Sequence, residues 1–100
     1  LHALVNRCNA FAVGSPTLNR DAVPPVWNLL AGIDAINSGK KPVLVFGSYG
    51  WTGEAVANIQ ARLMGLKMSV FEDGFKVNFV PTVEDLEAAR DMGRRFAQSF

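Results

Sequence analysis

The sequence contains a single cysteine and a single histidine. One thiol cannot close an internal disulfide, and one thiol with one imidazole cannot make a zinc site built on those ligands. Excess charge is also missing, since ten basic residues against nine acidic ones leave a formal net charge of +1. That balance gives no electrostatic footprint for nucleic acid. No apolar run approaches the roughly eighteen residues a membrane helix needs, so no membrane association is expected. Neither a signal peptide nor an initiator methionine is present. The expected compartment is the cytoplasm, and Leu1 reads as the cut edge of a longer chain. What remains is an ordinary globular composition: 100 residues, 49% hydrophobic, with nine glycines and five prolines. A chain of this size can bury about 65% of its unfolded surface, enough for one domain with one core.

Two short apolar runs dominate the chain. Ala10-Phe11-Ala12-Val13 is closed by Gly14, and Pro42-Val43-Leu44-Val45-Phe46 is closed by Gly47. Neither alternates with polar residues, which predicts central strands of a parallel sheet with both faces covered. Phe75 to Val80 does alternate and predicts an edge or half-covered strand. A further short strand is expected around Met68 to Phe71, then a turn at Asp73-Gly74. Helical stripes lie between the strands. Val26, Leu29, Leu30, Ile33 and Ile36 form one, opened by Pro24 and Pro25 and ended by Gly39. Val56, Ile59, Leu63 and Leu66 form a second, and Leu86, Ala89, Gly93, Phe96 and Phe100 a third. The third opens on Thr82-Val83-Glu84-Asp85, a capping box in which the hydroxyl accepts a backbone N–H and the acid reaches back. Leu1 to Arg7 reads as the end of an earlier helix. Strands alternating with helices predict an α/β fold, a parallel sheet with helices on both faces.

In open parallel sheets, ligands bind outside the carboxyl ends of the strands. Gly14-Ser15-Pro16-Thr17-Leu18-Asn19-Arg20 follows the first strand, and Gly47-Ser48-Tyr49-Gly50-Trp51-Thr52-Gly53-Glu54 the second. Both segments form turns and are rich in backbone donors. Glycine lets a backbone approach a flat ligand closely, and an indole offers it a face. Free N–H groups before a helix starting near Thr52 suit an acceptor-rich ring edge or an anion. A purely structural reading stands beside this one, with Tyr49 and Trp51 capping the sheet as core aromatics. No Gly-x-x-x-x-Gly-Lys-Ser/Thr and no Gly-x-Gly-x-x-Gly is present, which disfavours a P-loop nucleotidase and an NAD-type fold.

At these two loops the sequence resembles the C-terminal part of the flavodoxin-like FMN domain of A-type flavoproteins, the flavodiiron proteins. That family carries Gly-Ser-Pro-Thr-x-Asn after its third strand and Gly-Ser-Tyr/Phe-Gly-Trp-Ser/Thr-Gly-Glu after its fourth. Both signatures stand here, at residues 14–19 and 47–54, and the stretch from Val77 to Thr82 is also similar. The resemblance implies a flavodoxin sheet of order 2-1-3-4-5. This chain would supply strands three, four and five with their flanking helices. Residues 1–100 would then be a partial domain lacking the first strand, the phosphate loop and the first helix. The resemblance further implies FMN as cofactor, its ring between the two loops and Trp51 or Tyr49 near its face. Pro16, Thr17, Leu18 and Asn19 would meet the ring edge and ribityl chain, with Ser15 beside them. Backbone groups of Ser48, Tyr49, Gly50, Trp51, Thr52 and Gly53 would reach its polar edge. In the family, FMN receives electrons from rubredoxin or an NAD(P)H-linked reductase. It passes them to a diiron centre that reduces oxygen or nitric oxide. That centre uses a His/Asp/Glu cluster on a metallo-β-lactamase-like domain, and with His2 as its only histidine this chain cannot contain it.

Ala10 to Val13 would be an unprotected edge where strand one should lie, which predicts either self-association through that edge or further chain in the native gene. A rival reading is a non-binding structural or assembly fragment of the same fold. A third, a different flavodoxin-like enzyme such as a quinone reductase, is opposed by the tryptophan loop. The other residues take bland readings. Cys8 is expected as a buried apolar residue, His2 as exposed and idle, and Met64, Met68 and Met92 as core. Arg90, Arg94 and Arg95 beside Glu84, Asp85, Glu87 and Asp91 read as a solvated, charge-balanced face. Glu54 suits the positive end of a helix dipole.

Overall fold

A computed structural model of the protein describes residues 7–33, 40–50, 53–78 and 80–99. The elements run β1 (Phe11–Pro16), α1 (Pro24–Ala31), β2 (Pro42–Tyr49), α2 (Glu54–Gly65), β3 (Ser69–Val70), β4 (Phe75–Asn78) and α3 (Val83–Gln98). The expectations for Leu1 to Asn6, Ile36, Gly39, Trp51, Thr52, Phe79 and Phe100 fall outside the described residues.

Every strand pairing is parallel. β1 lies along β2 from Phe11 opposite Val43 to Pro16 opposite Ser48. On the other side of β2, β3 pairs with its beginning at Pro42 and Val43. β4 pairs with its end, from Phe46 opposite Phe75 to Tyr49 opposite Asn78. β3 and β4 are thus two pieces of one outer strand, interrupted at 71–74. Glu72 and Gly74 both take positive φ there, 50° and 77°. A Cβ at Gly74 would lie 2.7 Å from the Val45 carbonyl oxygen, so the break needs glycine for its conformation and for its space.

Helices cover both faces, as the α/β reading requires. On one face Val13, Val43 and Val45 pack against Leu30 of α1 and Ala55, Val56, Ile59 and Leu63 of α2. The other face carries Leu44 against Met92 and Phe96 of α3. There the Phe71 and Phe96 rings meet edge to face at 5.3 Å. Pro24 and Pro25 do open α1, whose end comes at Gly32, the cap N–H bonding Leu29 and Leu30 carbonyls. The helix therefore stops earlier than the apolar stripe, and Ile33 is buried just past its end. The α3 capping box forms in full: Thr82 Oγ1 accepts from the Asp85 amide at 3.1 Å, and Asp85 Oδ2 from the Thr82 amide at 2.9 Å.

Four expectations are corrected. The second face of β1 and β2 is only partly covered: Phe46 is 45% exposed, and Ala12 and Pro16 are exposed as well. These side chains look into an open groove of about 490 Å³, walled by Leu44, Phe75 and Val77 and by Ala89 and Met92 of α3. An unbroken apolar run shows that both faces are apolar; it does not show that something lies on each. For the same reason Leu86, Ala89 and Gly93 of the expected α3 stripe are exposed; of its described members only Phe96 is buried, and the helix's other buried residue is Met92. Met64 is also exposed, on the outer side of α2, whereas Met68 and Met92 are core. Cys8 is half-buried. Arg95 meets Glu72 and Asp91 at the surface, in keeping with a solvated, charge-balanced face.

Candidate functional site

Because β1 and β2 are parallel and in register, the segments after them leave the sheet at the same end. The segment after β1 starts against the end of β2, the Thr17 amide donating to the Ser48 carbonyl at 3.0 Å. The chain then doubles back in a tight turn. Leu18 and Asp21 exchange both backbone hydrogen bonds, at 2.9 and 3.0 Å. Asn19 and Arg20 between them take φ of 53° and 61°. Positive φ at both central residues is the geometry of a two-residue hairpin turn, tolerated well by asparagine and at a cost by arginine.

Side chains tie this turn to both helices. Ser15 is buried, its hydroxyl accepting from the Val23 amide at 3.1 Å and donating to the Pro16 carbonyl at 2.8 Å. Thr17 Oγ1 accepts from the Ala55 amide at 3.3 Å, in the first turn of α2. That amide needs a remote acceptor because the helix's own N-cap, Gly53, has no side chain to offer. Asp21 accepts three donors: the Ala22 amide at 2.8 Å and Asn58 Nδ2 at 3.0 Å on Oδ1, and Trp27 Nε1 at 3.2 Å on Oδ2. The Asn58 bond, then the Ala22 amide, then the weaker Trp27 bond hold its carboxyl below the usual 3.8 against opposing desolvation. Asn58 Nδ2 also donates to the Arg20 carbonyl at 3.3 Å.

The second segment builds the facing wall. Tyr49 is half-buried, with Lys76 Nζ of β4 5.8 Å from its ring centroid. A Cβ at Gly53 would come within 2.9 Å of Lys76 Cδ and 3.3 Å of Tyr49 Cδ1, so the missing side chain is what lets these groups close on the helix start. α2 begins at Glu54, two residues later than expected, and Glu54 occupies its first turn as the dipole argument requires.

The structure therefore brings Thr17 to Ser48 and to the start of α2, and Tyr49 to Gly53. Pro16, Leu18, Asn19 and Gly50 are exposed at the rim, Leu18 at 59%. Trp51 and Thr52 lie outside the described residues. Sequence reasoning missed Asp21, Asn58 and Lys76. Asp21 adjoins the first loop and was within reach of a turn argument, whereas nothing local marks the other two. Among the described residues no group of three or more His, Cys, Asp and Glu could hold a metal ion, and no helix is long and apolar enough to cross a membrane. The apolar groove runs beneath Pro16 and Ser48 on the α3 face, apart from the wall that Tyr49 and Gly53 form.

A parallel sheet with helices on both faces, its strands joined by crossovers, is an α/β architecture of the doubly wound class. The Flavodoxin family model matches residues 3–93, and the chain belongs to that family. Within it, the chain is homologous to the flavodoxin-like domain of flavodiiron proteins. The flavo-diiron protein FprA2 of Clostridium acetobutylicum is 48% identical over 95% of this chain and 24% of its own length. The type A flavoprotein fprA of Rhodobacter capsulatus is 44% identical over 94% of this chain and 22% of its own. The Flv1 flavodiiron core from Synechocystis superposes with a TM-score of 0.87 at 31% identity, covering 98% of this chain and 24% of that one. A flavodoxin from the domain Archaea gives a TM-score of 0.87 at 28% identity, over 99% of this chain and 70% of its own. The chain thus spans about a quarter of the curated relatives it matches.

Proposed function

We propose that this chain is the FMN-binding, electron-transfer part of a flavodiiron-type protein. The observation that carries this reading is that the chain leaving β1 meets both the end of β2 and the start of α2, Thr17 donating its amide to the Ser48 carbonyl and accepting the Ala55 amide on its hydroxyl. FMN, when bound, supplies reversible electron transfer, and the protein supplies position and surroundings. The residues present suit a flat ring. Leu18 offers exposed apolar surface and Tyr49 an aromatic one, while the exposed Gly50 leaves its backbone open to close approach. Pro16 to Asn19 take the ring edge and ribityl chain, and backbone groups of Ser48 to Gly53 its polar edge. Trp51 adds a stacking face. Ser15 contributes by fixing the strand end, its hydroxyl being engaged with Val23 and Pro16.

The names of two relatives support a direction of electron flow. One solved relative is titled rubredoxin oxygen:oxidoreductase, from Desulfovibrio gigas, and another relative, from Moorella thermoacetica, is named nitric oxide reductase. On this reading rubredoxin or an NAD(P)H-linked reductase donates. A diiron site on a metallo-β-lactamase-like domain accepts and reduces oxygen or nitric oxide, in the cytoplasm. Residues 1–100 then form part of a flavodoxin-like domain whose first strand, phosphate loop and first helix lie elsewhere. The β1 edge and the groove beside α3 are the surfaces such elements would cover, and left uncovered they drive self-association. A folded monomer at high concentration in sedimentation would refute that last point.

The test is an FMN titration of the chain, with far-UV circular dichroism to establish folding. Quenched flavin fluorescence, a shifted visible spectrum and micromolar or tighter affinity are expected. A folded chain that takes no FMN would leave only the role of a structural fragment.

A further inference from the structure

We infer that Asp21 is a positioning residue, whose carboxylate clamps the 17–20 turn between α1 and α2 and so sets the turn's placement against the flavin. The inference rests on the flavin reading above. Hydrogen bonds of Thr17 and the Leu18–Asp21 backbone pair hold the base of the turn. Its tip is exposed, and Asn19 and Arg20 sit at positive φ. Holding arginine in that region costs on the order of 1 kcal/mol or more, so the surroundings must over-determine the conformation.

Asp21 supplies that restraint from three directions. The Ala22 amide fixes the carboxylate to its own backbone, Trp27 Nε1 ties it to α1, and Asn58 Nδ2 ties it to α2. Asn58 reinforces the clamp by donating also to the Arg20 carbonyl. All three donors are N–H groups, and the two oxygens accept them without offering a proton in return. This is a demand for a carboxylate, which an amide of the same shape cannot meet. Asp21 Oδ1 can be replaced by the amide oxygen of asparagine, but the Oδ2 position then holds an NH2 group facing the indole N–H, donor against donor.

That asymmetry gives the test. D21N, W27F and the D21N/W27F pair are compared with the wild-type chain by FMN titration, by the flavin visible spectrum and by amide exchange at Leu18 and Asp21. D21N is expected to weaken FMN on the order of tenfold, alter the bound spectrum and speed exchange at both amides. W27F removes the opposing donor. The pair is therefore expected to return to within about twofold of W27F alone. A purely structural role would lower stability without changing the affinity for FMN or the bound spectrum. If the wild type binds and D21N binds equally well, the inference is overturned. It is also overturned if W27F fails to rescue D21N. A wild-type chain that takes no FMN overturns the flavin reading instead, while the exchange comparison still decides whether Asp21 holds the turn.

Discussion

Thr17→Val is the most informative single substitution. Valine keeps nearly the shape of threonine and removes the one acceptor that the Ala55 amide uses, 3.3 Å away in the first turn of α2. Ala55 is fully buried, and Gly53 as N-cap has no side chain to take over. A buried donor left without a partner costs about 1–3 kcal/mol. For a domain of this size each kcal/mol moves the melting midpoint by about 4–8 °C, so a loss of about 10 °C is expected. Thermal unfolding followed by circular dichroism at 222 nm reads it, with urea unfolding as a check. Thr17→Ser retains the hydroxyl and is expected to keep most of the stability. The flavin titration should show weakened binding for valine as well, because the turn then keeps only its Asn58 ties to α2 and loses the one at the helix start. A valine variant within about 0.5 kcal/mol of wild type would refute the claim that Thr17 caps α2 across the site.

Further outcomes follow from the packing and the charges. Gly74→Ala places a Cβ 2.7 Å from the Val45 carbonyl at a φ of 77°, and a loss of about 2–4 kcal/mol in urea unfolding is expected. Gly65→Ala meets nothing within 4 Å in α2 and should be neutral or slightly stabilising in the same assay. Ile59→Ala, at a fully buried site of the α2 core, is expected to cost about 2–5 kcal/mol by the same unfolding curves. The Asp21 carboxyl is held below its ordinary value of 3.8, so its contribution to stability is complete above that pH and is lost as pH falls through the lowered value. D21N should therefore show a flatter stability-against-pH curve on the acid side than wild type, measured by urea midpoints from neutral pH downward.

Much of the fold was written in short-range patterns. The apolar runs at Phe11 and Pro42, the 3.6-residue stripe from Val56 to Leu63, the prolines at the start of α1 and the capping box at Thr82 each act within a few residues. Local chemistry is enough to specify them. The pairing of β3 and β4 along one edge of β2 was not legible, since register and neighbours depend on residues distant in the chain. Nor was the open groove, because apolar side chains look alike in sequence whether or not something covers them.

The site divides along the same line. The sequence by itself marked the two loops to which binding is assigned in our proposal, because backbone-rich, glycine-spaced segments at strand ends are a local property. Only the tertiary structure decided how those loops are held. Thr17 caps a helix 38 residues away, and Asp21 reaches Asn58 37 residues away. Lys76 reaches Tyr49 because β4 lies beside β2. Hydrogen bonds and charge contacts act over a few ångströms of space, and the parallel crossovers that bring these residues so close span dozens of residues of chain.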